Sequence, residues 1–156
     1  YDTNTKMSPP LRTISDVDAI KKGLKDGTID IIATDHAPHD IVDKQVEYQN
    51  ACFGIVGLET ALPLSLKLVD EKILSMSELI KKLTSTPSGI FNLSSGNLSL
   101  GNDADILIFN PNFEYSIDIS KFHSKSKNSP FDGWKVKGKV IRTLVRGKTV
   151  YPTIEN

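Results

Sequence analysis

Ile29-Asp30-Ile31-Ile32-Ala33-Thr34-Asp35-His36-Ala37-Pro38-His39 passes from an apolar run into an acid and two histidines within eleven residues. The run at 29–33 reads as a short buried strand, because β-branched residues favour extended chain and Gly27 closes whatever precedes it. Carboxylate and imidazole are metal ligands as well as acid–base groups. Placed just past the carboxyl end of a buried strand, they occupy the position where α/β enzymes carry out their chemistry.

Before this stretch, Met7-Ser8-Pro9-Pro10-Leu11-Arg12 is a stiff extended loop, since each proline sets φ and disfavours helix in the residue before it. A helix is expected to start at Ser15, with Asp18 as its capping partner, to run through Val17, Ile20 and Leu24, and to stop at Asp26-Gly27. Helix followed at once by strand is a step of a parallel α/β architecture. Residues 36–53 form a long polar loop, of the kind that serves a ligand site.

Apolar residues at 58, 61, 62, 66 and 69 give a helical period over Gly57–Val69 despite Pro63. Ser77 is expected to cap a helix to Leu83, and Thr86-Pro87 to open another with proline at its first position. After Ser94-Ser95-Gly96 the texture changes. Asn97–Gly101, Ala104–Phe109, Val136–Val145 and Thr149–Tyr151 read as short strands, the last two joined by an Arg146-Gly147-Lys148 turn. A boundary is therefore expected near residue 95, with α/β structure before it and short antiparallel strands after it.

Lys and Arg together number 19, as do Asp and Glu, so no charge excess points to nucleic acid or an anionic membrane. No apolar run approaches a membrane span. Cys52 is the single cysteine and cannot form an internal disulfide, which makes a reducing cytoplasm the expected compartment. The chain opens on Tyr1 rather than methionine, and Tyr1–Lys6 lacks the look of a domain start, as expected of a fragment.

Taken singly, Asp35 is an ordinary turn residue, His36 a half-buried histidine and His39 a surface one. Lys121–Lys127 reads as a solvated loop, and Glu47 and Glu59 as solvated carboxylates. Gly101–Asp105 lacks the ligand spacing of a calcium loop and reads as a hairpin turn. Trp134 reads as a core or domain-contact residue. Asp35, His36 and His39 together, with Pro38 stiffening the segment, form the one constellation that suggests chemistry.

Thr34-Asp35-His36-Ala37-Pro38-His39, with Lys6–Arg12 before it and Phe53-Gly54-Ile55-Val56-Gly57-Leu58-Glu59-Thr60 after it, resembles the bacterial stand-alone dihydroorotases of the amidohydrolase superfamily. Ser124–Phe131 with Gly133-Trp134 extends the likeness towards the end of the chain. The resemblance implies the C-terminal part of a metal-dependent (β/α)8 barrel, residues 1–95 with the strand at 29–33 as its eighth. A small β-sandwich segment, residues 96–156, would follow.

By that resemblance Asp35 is both a zinc ligand and the catalytic acid–base. His39 and the backbone of Phe53 and Gly54 bind substrate, as does Ser8, where the family often carries a longer asparagine. Cys52, where proline is common, reads as an inert replacement. The implied reaction interconverts dihydroorotate and N-carbamoyl-aspartate in pyrimidine biosynthesis, with one or two zinc ions as cofactor. A homodimer or a complex with a carbamoyltransferase stays open as the partner.

Only His36, His39 and His123 are present, with no His-x-His pair, and a catalytic zinc takes about three protein ligands. The 156 residues alone are therefore expected to be inactive and to bind no stoichiometric zinc. The alternative is a catalytically inactive dihydroorotase-like scaffold for a carbamoyltransferase. Retention of Asp35 and His39 speaks against it, since a scaffold has no use for either.

Overall fold

The computed structural model describes residues 1–152. Five α-helices precede a three-stranded sheet: α1 (Ile14–Asp26), α2 (Ile41–Lys44), α3 (Ala61–Asp70), α4 (Met76–Leu83) and α5 (Ser85–Ile90), then β1 (Ile106–Ser116), β2 (Lys135–Val145) and β3 (Lys148–Tyr151). The sheet is an antiparallel meander in the order β1-β2-β3. No described helix is long and apolar enough to cross a membrane.

Helix boundaries follow the caps. Helix α1 starts one residue earlier than the sequence predicts: Thr13 is the N-cap, and its backbone N–H donates to Asp16 Oδ2 at 3.1 Å. Asp16, not Asp18, is therefore the capping partner. Gly27 ends the helix at φ 85°, a left-handed conformation that costs glycine little. Helix α4 is capped by Ser75 rather than Ser77, with reciprocal bonds between Ser75 and Glu78 at 2.7 and 3.3 Å.

Gly57–Thr60 forms a turn rather than the start of α3, with Thr60 N–H donating to Gly57 O at 3.2 Å. Pro63 then falls in the first turn of α3 and Pro87 in that of α5. There a missing N–H leaves no helical bond unmade.

Three strand expectations change. The run at 29–33 carries no ladder. Ile32 N–H donates instead to Lys82 O at 3.1 Å, and Lys82 Nζ donates to Ile29 O. A strand exists only beside another strand, and β1, β2 and β3 pair with one another. Asn97–Gly101 is also not a strand, because the Asn97 side chain accepts from Ser99 N–H and Asn102 Nδ2 and turns the chain locally. Conversely, the run predicted to end at Phe109 continues to Ser116, across two irregularities in its pairing with β2. The β2–β3 turn is as expected, with Arg146 and Gly147 both at positive φ, 48° and 75°.

Leu24, Leu66, Leu74 and Leu79 form the buried core, and Ile29 and Ile32 pack against it. The 29–33 segment thus lines the core without being a strand. Helix α3 also meets the sheet: a Cβ on Gly138 of β2 would stand 2.1 Å from Leu66 Cδ1. Trp134 is not a core residue. It is 44 % exposed, with its ring edge-on to Phe131 and Lys67 Nζ 4.8 Å from its centroid.

Candidate active site

The Asp35–His39 segment is held by the 53–57 segment at van der Waals distance. Ala37 N–H donates to Ile55 O at 2.9 Å, and Gly57 N–H donates to His36 Nδ1 at 3.3 Å. Both glycines are steric requirements. A Cβ at Gly57 would lie 2.1 Å from Asp35 O, and one at Gly54, where φ is 114°, would lie 2.4 Å from Ala37 Cβ. The structure therefore gives Gly54 a reason of its own: it clears Ala37 and adopts a backbone conformation that L side chains avoid.

Most polar groups here are engaged. The Gly54 N–H donates to Lys6 O at 2.9 Å, while Gly54 O accepts from Lys44 Nζ at 3.0 Å and Asn128 Nδ2 at 3.2 Å. Phe53 O lies 2.8 Å from His39 Nε2. A carbonyl only accepts, so Nε2 carries the proton and Nδ1 is the nitrogen left for other work. His36, accepting at Nδ1, has the structural part expected of it.

Asp35 stands apart. Its carboxylate is exposed, and among the described residues it takes part in no ion pair or side-chain hydrogen bond. Ser8 is also exposed, in the loop that leaves Lys6.

Three residues to which sequence alone assigns no role of their own build this region. Asn128 is 5 % exposed; it donates to Ala37 O at 2.9 Å and accepts from His39 N–H at 3.3 Å, besides its bond to Gly54. Lys44, 3 % exposed, spans the carbonyls of Cys52 and Gly54. Burial pushes its ammonium below the usual lysine range, with the neighbouring Cys52 acting in the opposite sense. Lys6 donates to Gln49 O at 2.8 Å and lies 4.5 Å from the Phe53 ring centroid. A lysine spaced among polar loop residues gives no sign in sequence that carbonyls will enclose it.

Glu59, read from sequence as solvated, accepts from His123 N–H at 2.9 Å and Ser124 N–H at 3.1 Å. Lys127 Nζ ties the same loop through Phe122 O and Ser124 O. These bonds deliver Asn128 to its place.

The sequence pattern of the amidohydrolase family matches residues 8–150. The chain belongs to the amidohydrolase family. Among relatives of this amidohydrolase, the dihydroorotase of Syntrophus aciditrophicus (strain SB) is 53 % identical over 97 % of the chain and 35 % of the relative. That of Geobacter metallireducens is 54 % identical, over 97 % of the chain and 36 % of the relative. The L-hydantoinase (dihydropyrimidinase) from Arthrobacter aurescens superimposes with a TM-score of 0.86 at 35 % identity, covering 93 % of the chain and 34 % of that structure. The amidohydrolase chain thus spans about a third of the length of the relatives it matches.

Proposed function

We propose that this chain is the C-terminal part of a dihydroorotase, an enzyme that opens and closes the cyclic amide of dihydroorotate. In the parent, residues 1–95 would complete a (β/α)8 barrel and residues 96–156 a small β-sandwich. The observation that carries the reading is the contrast at the site. Asp35 presents a free carboxylate on a segment whose neighbours are fixed by hydrogen bonds and by two close-packed glycines. A rigid frame around one unpaired acid suits proton transfer.

Asp35 accepts a proton from the attacking water and delivers it to the ring nitrogen as the amide breaks, giving N-carbamoyl-aspartate; ring closure reverses the steps. His39, oriented by Phe53 O, binds the substrate carboxylate through the free Nδ1 edge of its ring. The Phe53 N–H has no partner among the described residues and is the donor available to the pyrimidine ring, since both backbone groups of Gly54 are already used. Ser8 is the shorter-reaching contact on the loop after Lys6.

Zinc in such an enzyme supplies a nucleophilic hydroxide near neutral pH. Among the described residues Asp35 belongs to no group of three metal-ligating side chains, so this chain does not make up that site by itself. The remaining ligands would come from the rest of the parent, in a reducing cytoplasm.

The test is Asp35→Asn in the full-length protein. Ring opening of dihydroorotate should fall by roughly 10²–10⁴-fold, because the group that moves the proton is lost. A full-length protein without dihydroorotase turnover would instead favour the scaffold alternative.

A further inference from the structure

His39, Asp43 and Cys52 bring a ring nitrogen, a carboxylate oxygen and a sulfur within 4.8 Å of one another. A tetrahedral zinc holds its ligand atoms about 3.5 Å apart, so small side-chain rotations close the group. We propose that these three residues form a metal site that does not use Asp35 and that takes a thiophilic divalent cation such as zinc or cadmium.

The backbone holds the ligands in register. Cys52 N–H donates to Asp43 O at 3.2 Å, and Asp43 N–H donates to Asp40 O at 3.1 Å. Asp40 caps the short helix α2 that carries Asp43, and Lys44 Nζ fixes Cys52 O at 2.8 Å. Among the described residues neither the Asp43 carboxylate nor the Cys52 thiol makes a hydrogen bond. His39 already has the outer contact typical of a metal-bound histidine, with Nε2–H on a backbone carbonyl and Nδ1 left with the lone pair.

Charge also balances. A carboxylate and a thiolate neutralise a divalent ion, while neutral imidazole adds none; the Lys44 ammonium is turned to two carbonyls. His39 and Cys52 are half-buried and Asp43 is exposed, which leaves an entry path and a fourth position for water. Cys52 is then a ligand rather than an inert replacement. The expectation of no stoichiometric zinc counted histidines, His39 among them; Asp43 and Cys52 add two donors that it left out.

One consequence rests on the proposed function. A metal on His39 takes the ring edge that would face the substrate carboxylate, so occupancy competes with substrate.

Cadmium decides the matter, because its bond to thiolate produces an ultraviolet charge-transfer band independent of activity. The full-length protein, reduced and with its resident metals in place, is titrated with Cd2+ beside Cys52→Ser. The expected result is a difference band that saturates at one equivalent. In Asp43→Asn, whose side chain supports no structure, Cd2+ affinity should fall at least tenfold. Absence of the band, or an Asp43→Asn affinity within twofold of wild type, overturns the site. If the band is present, Zn2+ should raise KM for dihydroorotate in wild type but not in Cys52→Ser. A protein with the band but without dihydroorotase turnover retains the metal site and loses only the functional reading.

Discussion

Asn128 joins three segments through one amide: its Nδ2 serves Ala37 O and Gly54 O, and its Oδ1 receives His39 N–H. Truncation would strand buried carbonyls, and a buried polar group left unpaired is costly to the fold. Asn128→Ala should therefore lose about 2–4 kcal/mol in urea unfolding of the full-length protein. It should also raise KM more than it lowers kcat, because it loosens His39 while leaving Asp35 in place. The Asp35–His39 motif stands out in the sequence as an acid and two histidines beside a proline. Asn128 is not, because an asparagine in a Ser- and Lys-rich loop looks like any other turn residue.

At the level of elements, caps decide where helices begin. Ser75 and Glu78 exchange bonds at the start of α4, and those bonds hold the Glu78 carboxyl below its usual range, chiefly through the Ser75 backbone N–H. A carboxyl whose pKa is lowered on folding adds stability above its unfolded pKa and loses it as pH falls through the folded value. The stability advantage of wild type over Glu78→Gln should be full at neutral pH and vanish between about pH 5 and pH 3. Denaturant midpoints across that range would check it. Here the expected caps fall two residues late at both α4 and α1, since each helix start offers two hydroxyl residues and the acid three positions on, Glu78 or Asp16, selects the earlier one.

Over the whole molecule, helix α3 and the sheet are fitted through Leu66 and Gly138. Gly138 lies at φ 98°, and a Cβ there would enter the Leu66 side chain. Gly138→Ala should cost about 2–4 kcal/mol, and less in a Leu66→Ala background, because the steric part then disappears. Thermodynamic coupling between the two substitutions is the measurement. Leu11, Ile14, Val17 and Ile20, in and just before α1, lie exposed, and among the described residues Asp35 has no companion metal ligands. The 156 residues expressed alone should accordingly show no turnover of dihydroorotate; measurable ring opening by the isolated chain would refute that.

The run of helices, the late strands and the Arg146-Gly147 turn were all written in local sequence, as was the Asp35–His39 segment on which the proposed function rests. Each depends on periodicity, capping residues or backbone freedom within a few positions. Contacts across the chain lay beyond it. Whether 29–33 is a strand depends on a partner strand rather than on its own residues, and its hydrogen bonds go instead to Lys82. That Gly54 and Gly57 are needed to seat Ala37 and Asp35, and that Asn128, Lys44 and Lys6 hold the seat together, follows from groups far apart in sequence meeting in space. Cys52, a lone cysteine in sequence, acquires His39 and Asp43 as neighbours only because the loop folds back on itself.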